Sequence, residues 1–306
     1  MQHLWIVASL AAAFFQALRY AALKELNRHL SASVATYMRM LFGLPFLVVY
    51  LIAVLQMQGI ALPKTNAVFW ICCSLTAFLQ FAMTILMVWL FQSGNFAVGI
   101  MIQRADVILT AIIGSLLFSE VISGLGWIAI AITVSGVLAA SAARIGPSAW
   151  GSTGGLADIL LGPPMRLGFG SALCAAISYL ALREAILTLD PEAGPLVNSA
   201  MAAVATTLVS FIFIGAWLLV RERQELARLR HWPWLALLVG FSSAAGSVGW
   251  FTASALANAS YVAAVAQVQI VFALLISRYW FRETIRPLEV AGIALILAGV
   301  ILFRGA

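Results

Sequence analysis

The chain has 306 residues, 63% of them hydrophobic and 9% charged, with a mean hydropathy of +1.04; soluble domains carry roughly 25% charged residues, so a chain this apolar could not cover a core with polar surface, and a soluble globular fold is excluded. Its 17 Lys+Arg against 11 Asp+Glu leave a net charge of +6. These cations are scattered through short segments between apolar runs and form no RNA-binding patch, so the expected partner is the lipid bilayer rather than nucleic acid.

A membrane helix needs about 20 mostly apolar residues. Apolar runs read against turn signals predict an all-α integral membrane protein with about ten spans. In chain order they are Leu4–Leu23, Val34–Leu55, Ala67–Phe91, Phe96–Phe118, Val121–Ala142, Leu167–Leu187, Pro195–Val220, Trp234–Ala255, Ser260–Ser277 and Leu288–Phe303. The first is read as a span and not as a signal peptide, because it lacks a basic n-region and no polar stretch follows a cleavage site. Trp5, Trp70, Trp89, Trp127, Trp217, Trp232, Trp234 and Trp280 fall near predicted interfaces, where amphipathic rings collect. Gly43 and Pro45 predict a kink in the second span.

Between the fifth and sixth spans, residues 144–165 are rich in Gly, Pro and Ser and read as a linker. The chain therefore divides into a repeat over 1–143 and a second over 166–306. Ala11, Ala12, Ala17, Leu18, Arg19, Ala21 and Leu23 recur as Ala175, Ala176, Ala181, Leu182, Arg183, Ala185 and Leu187. Phe118, Glu120, Ile122, Leu125, Ile130, Ala131, Gly136 and Val137 recur as Phe281, Glu283, Ile285, Leu288, Ile293, Ala294, Gly299 and Val300. The offset is 164 in the first segment and 163 in the second. Five spans per copy is an odd number, so the second copy enters the membrane from the opposite side. Inverted repeats of this kind place a solute site near the midplane and give alternating access by rocking one repeat against the other.

The repeat ends, LLFSEVISGLGWIAIAITVSGVL and YWFRETIRPLEVAGIALILAGVI, with YMRMLFGLPF around Arg39, resemble the EamA family of the drug/metabolite transporter superfamily over nearly the whole chain. The resemblance implies a multi-pass carrier in a bacterial inner membrane, with both termini in the cytoplasm. It is nearly silent on substrate. The family often has proline inside the fourth and ninth spans; here Asp106 and Ile270 stand thereabouts.

Charge inside a bilayer costs about 2.5–3.5 kcal/mol per residue at a helix centre, so each such residue is a functional candidate. Arg104 and Asp106 lie deep in the fourth span, two apart and so on different faces. Gln103, Asp106 and Thr110 share one face, expected to look into the bundle. At ~1.5 Å per residue, Arg19 lies roughly 6 Å in, Arg39 roughly 8 Å, Arg104 roughly 12 Å and Asp106 roughly 15 Å. Pairing of Arg39 with Asp106 would leave a net positive pocket suited to a carboxylate-bearing solute. Against this, Arg19 could snorkel to the interface, and Arg39 could simply join helix ends. The second repeat offers Gln267, opposite Gln103 at offset 164, and nearby Gln269, with Arg183 answering Arg19. Asn198 opens the seventh span, and Ser243 and Ser247 in the eighth are weighted towards packing. Tyr179, Tyr261 and Trp250 could line a pocket, though single aromatics are more often packed. Glu120 and Glu283 are read as structural, each a carboxylate beside the N–H groups that open the next helix. Gly136 and Gly299, with Ala129 and Gly292, form small faces for close packing.

No GxSxG, HExxH or P-loop pattern occurs. Cys72, Cys73 and Cys174 lie in apolar runs without metal-ligand spacing, and His3, His29 and His231 are scattered. No catalysis, metal or cofactor is expected. Transport would then run on a gradient, with Asp106 the candidate proton-coupling group and a small-molecule substrate as partner. The leading reading is an exporter of amino acids or related carboxylate-bearing compounds; the alternative is a membrane-embedded binding or sensor protein without transport. Loops after odd-numbered spans hold eleven basic residues, Lys24 to Arg286, against Lys64 and Arg304 on the other side. Positive charge marks the cytoplasm, so this bias places both termini outside, opposite to what the resemblance implies.

Overall fold

The computed structural model describes residues 4–26, 29–92, 105–142, 163–227, 232–279 and 286–303. Within them the chain is helical, with no strand. The helices are α1 (Leu4–Leu26), α2 (Ala32–Leu41), α3 (Gly43–Gln58), α4 (Ala67–Gln92), α5 (Asp106–Leu117), α6 (Gly124–Ala142), α7 (Pro163–Leu187), α8 (Gly194–Arg221), α9 (Arg223–Ala227), α10 (Pro233–Leu256), α11 (Ala259–Val265), α12 (Gln269–Tyr279) and α13 (Pro287–Leu302). Seven helical stretches are long and apolar enough to cross a membrane, and Asp106–Leu117, Gly124–Ala139 and Pro287–Leu302 are shorter apolar helices. All of them fall on expected spans. Backbone groups in hydrocarbon must be satisfied within their own segment, which is why such a chain folds into helices.

Among the described residues, the second and ninth spans are interrupted. The second breaks at Phe42, between α2 and α3, where Pro45 has no N–H to give the turn before it. A Cβ at Gly240 of α10 would collide with Phe42, and one at Gly43 would lie 3.3 Å from the Gly240 carbonyl, so the break seats against α10 backbone to backbone. The ninth span, expected to be continuous, is divided by a 3-10 turn over Ala266–Val268 between α11 and α12. No glycine or proline announces that break.

The chain forms two compact units. Unit 1 comprises Met1–Phe78 and Ala181–Ala257, and unit 2 Leu79–Leu180 and Asn258–Ala306, so each draws on both sequence halves. In unit 1, α1 packs along α10, and α8 packs on α2, α3 and α10. A Cβ at Gly249 would sit 2.6 Å from the Ala8 carbonyl and 3.0 Å from the Ala12 nitrogen, an approach open only to glycine. The apolar core there includes Leu47, Phe69, Cys73, Leu182, Ile186 and Phe251, with Trp250 packed against it. In unit 2, α6 packs along α13 and α5 along α11. The small faces read from the sequence meet here: a Cβ at Gly136 would lie 2.7 Å from the Gly292 carbonyl, and one at Gly299 would strike Thr133.

Candidate functional site

The candidate residues divide between the units. Arg19, Arg39 and Trp250 belong to unit 1; Asp106, Gln267 and Tyr179 belong to unit 2. Arg104, Gln103 and Glu283 lie outside the described residues.

In unit 1, Arg19 sits on α1 with only 8% of its surface exposed, so it does not snorkel clear of its own unit. Its guanidinium carbon lies 5.1 Å from the centre of the Tyr20 ring, a cation–π distance. Its Nε is buried and has no hydrogen-bond partner among the described residues. Arg39 is half-buried in the last turn of α2, where a cation meets the negative end of the helix dipole. It lies within electrostatic reach of Arg19 and Tyr20. The start of α2 is set by Ser31, whose Oγ accepts from the Val34 N–H at 3.3 Å and donates to Glu222 at 2.5 Å. Arg183, the counterpart of Arg19 in the repeat, serves the fold. Its Nε donates to the Ala257 carbonyl at 3.0 Å, capping the C-terminal end of α10. Trp250 is half-buried against the apolar core. Asn198 donates to the Asp190 carbonyl at 2.9 Å, while its buried Oδ1, like the Ser243 hydroxyl, has no hydrogen-bond partner among the described residues.

In unit 2, Asp106 is 3% exposed and opens α5. Its Oδ1 accepts from the Val107 N–H at 2.9 Å, and its carbonyl accepts from the Thr110 hydroxyl at 2.6 Å. The helix N-terminus favours an anion there. Asp106 and Thr110 are both buried on one face of α5, as the spacing predicts. Gln267 is 3% exposed inside the 3-10 turn, its Nε2 donating to the Ala263 carbonyl at 3.2 Å. Gln269, two residues on, is 7% exposed, and its buried Oε1 has no hydrogen-bond partner among the described residues. Tyr179 is half-buried on α7.

Glu120 is structural, and the helix it is seen to cap is not the one that follows it. It accepts from the Ala259 N–H at 2.7 Å and from the Ser260 hydroxyl at 2.6 Å, so it caps α11, 139 residues further along the chain. The loop is shaped for this: Ser119 takes φ +53° and the Glu120 N–H reaches back to the Gly114 carbonyl at 3.0 Å, a left-handed helix end. Asn258 Nδ2 donates to the Val121 carbonyl at 2.9 Å, and the Ser123 N–H donates to the Tyr261 hydroxyl at 3.1 Å. Tyr261 is therefore a tie between the α5–α6 loop and α11. Among the described residues, no group of three His, Cys, Asp or Glu side chains could hold a metal ion.

The sequence model of the EamA-like transporter family matches residues 3–142 and again 163–305. A solved crystal structure of a protein 12% identical to this chain covers 99% of it and 97% of its own length, with a TM-score of 0.69; that likeness shows a shared fold. No curated protein matches.

Proposed function

The chain belongs to the EamA-like transporter family, a family of membrane transporters, and we propose that this multi-pass membrane protein is a secondary carrier working by alternating access, an exporter of amino acids or related carboxylate-bearing solutes in a bacterial inner membrane. Its repeats are read as residues 1–143 and 166–306, inverted about the linker 144–165. The opposed course of α5 and α11, which pack along each other from the Glu120 tie, accords with that inversion.

The observation that carries the substrate class is the arginine pair of unit 1. Arg19 is buried with an unpartnered Nε, and Arg39 stands within its field. Two like charges in low dielectric repel, and a buried donor left unmade costs about 1–3 kcal/mol. A carboxylate relieves both terms at once and matches the guanidinium fork. Asp106, buried at a helix N-terminus, is the proposed proton-coupling carboxylate.

The test is a resistance screen. The chain is expressed in a susceptible bacterium and growth is scored against toxic amino acids, their analogues and drugs. Resistance to amino-acid analogues with the wild type and not with Asp106→Asn is expected. Resistance to nothing, followed by no flux of any solute through the purified chain in proteoliposomes, would sink the carrier reading.

A further inference from the structure

Ser243 of α10 keeps its hydroxyl out of its own helix. The residue is 5% exposed, and its Oγ has no hydrogen-bond partner among the described residues. A serine or threonine inside a helix can donate to the carbonyl four residues back. Ser9, Thr110, Thr133, Ser210 and the adjacent Ser242 all do so, Ser242 to the Leu238 carbonyl at 2.6 Å. Ser243 forgoes that bond. A buried hydroxyl in this state carries a desolvation cost that an incoming polar group removes.

The break in the second span fixes where this hydroxyl lies. A Cβ at Gly43, the first residue of α3, would stand 3.9 Å from the Ser243 Cβ and 3.3 Å from the Gly240 carbonyl. Arg39 precedes Gly43 by four residues, about one helical turn, and lies within electrostatic reach of Arg19. The packing of α1 along α10 brings Arg19 to the same level. Gly249 seats on Ala8 and Ala12, and Gly246 on Ala12, Phe15 and Gln16, so the two helices run in opposite directions. Three residues back along α10 correspond to about one turn onward along α1. The next step of three reaches Ser243 and, on α1, the turn from Gln16 to Arg19. Arg19, Arg39 and Ser243 all belong to unit 1.

We propose that Ser243 is a specificity residue of the carboxylate site: its hydroxyl donates to the solute carboxylate assigned to Arg19 and Arg39. The proposal rests on the carrier reading and its arginine pair. Two guanidinium groups attract any anion, whereas a hydroxyl on a helix seated backbone to backbone donates in a defined direction. A carboxylate offers two oxygens and about four lone-pair sites, so an arginine fork leaves it acceptor capacity that Ser243 can use. A packing role for Ser243 would be different in kind. The small face of Gly240, Ser243 and Ala244 against Gly43 needs only short side chains, and alanine meets that need as serine does.

The test uses the full chain in proteoliposomes, with labelled leucine as the transported probe. With Ser243→Ala, the half-saturating leucine concentration is expected to rise roughly tenfold, the effect of one lost hydrogen bond to a charged group, with the maximal rate little changed. The substitution keeps the Cβ and removes an unsatisfied buried hydroxyl. The thermal midpoint without solute should therefore not fall, while its rise on adding leucine should shrink. In an Arg19→Lys background the same substitution should cost less than in the wild type, because both side chains act on one carboxylate. Wild-type half-saturation in Ser243→Ala, a loss of stability in place of affinity, or full additivity with Arg19→Lys overturns the inference and leaves the carrier standing. Failure of the wild type to bind or move leucine overturns the inference together with the amino-acid reading, whereas the carrier reading falls only with the full screen.

Discussion

At the scale of single residues, Arg19 separates stability from function most cleanly. Arg19 is 8% exposed, its Nε has no hydrogen-bond partner among the described residues, and a second arginine stands near it; replacing a buried charge by an apolar side chain of similar volume is often neutral or stabilising. Arg19→Leu is therefore expected to keep or raise the thermal midpoint in detergent. Uptake of a carboxylate-bearing solute should fall roughly tenfold or more, since hydrogen bonds to charged groups contribute about 1.5–3 kcal/mol each. Arg19→Lys keeps the charge and loses the planar fork, so its flux should lie between the two. If Arg19→Leu transports as the wild type does, the arginine serves the fold and the carboxylate reading loses its support. That Arg19 would be buried was not legible in the sequence: a cation about four residues from a span end can snorkel or pack, and what decides is α10, which lies against α1 through Gly246 and Gly249.

At the scale of elements, spans were legible and joints were not. Hydropathy alone places helices because the bilayer leaves the backbone no other way to pair its groups, and the Gly43/Pro45 signal located the break at Phe42. The 3-10 turn at Ala266–Val268 has no such signal, because the residues there, Ala, Gln and Val, suit an unbroken helix. Local spacing reads Glu120 as a cap of α6, whereas the left-handed turn at Ser119 sends the carboxylate to α11. This assignment is testable by stability. Glu120→Gln keeps the shape but turns one acceptor oxygen into a donor facing the α11 N–H groups and the Ser260 hydroxyl. A loss of about 1–3 kcal/mol is expected, read as a lower thermal midpoint of the purified chain. The compensating change Ser260→Ala should cost less in the Glu120→Gln background than in the wild type, because the two share a hydrogen bond of 2.6 Å and coupled residues are not additive. Full additivity of the two changes would show that the tie does not hold α11.

At the scale of the whole molecule, the repeat was legible and its partition was not. Identities at offsets of 163 and 164 disclose the duplication, and the family match falls on both copies, 3–142 and 163–305. Which helices condense into which unit depends on glycine seats such as Gly136 with Gly292 and Gly249 with Ala8, pairs far apart in sequence that periodicity does not couple. Orientation is the remaining property of the whole chain, and there physics and resemblance disagree. The described apolar helices all fall on expected spans, and α9, with Arg223 at its start, adds to the basic segment that follows α8. With ten spans as the sequence reads them, basic residues crowd the loops after odd-numbered spans, Arg221, Arg223, Arg228 and Arg230 among them. Short-loop Lys and Arg determine which side stays in the cytoplasm, so both termini are expected outside. A reporter fused after Ala306 decides this. Alkaline phosphatase, which folds only when exported, should be active there, and a fluorescent protein that matures only in the cytoplasm should be dark. The opposite pattern would mean that the resemblance, and not the charge count, gives the orientation, and the arginine-rich side would then face outward.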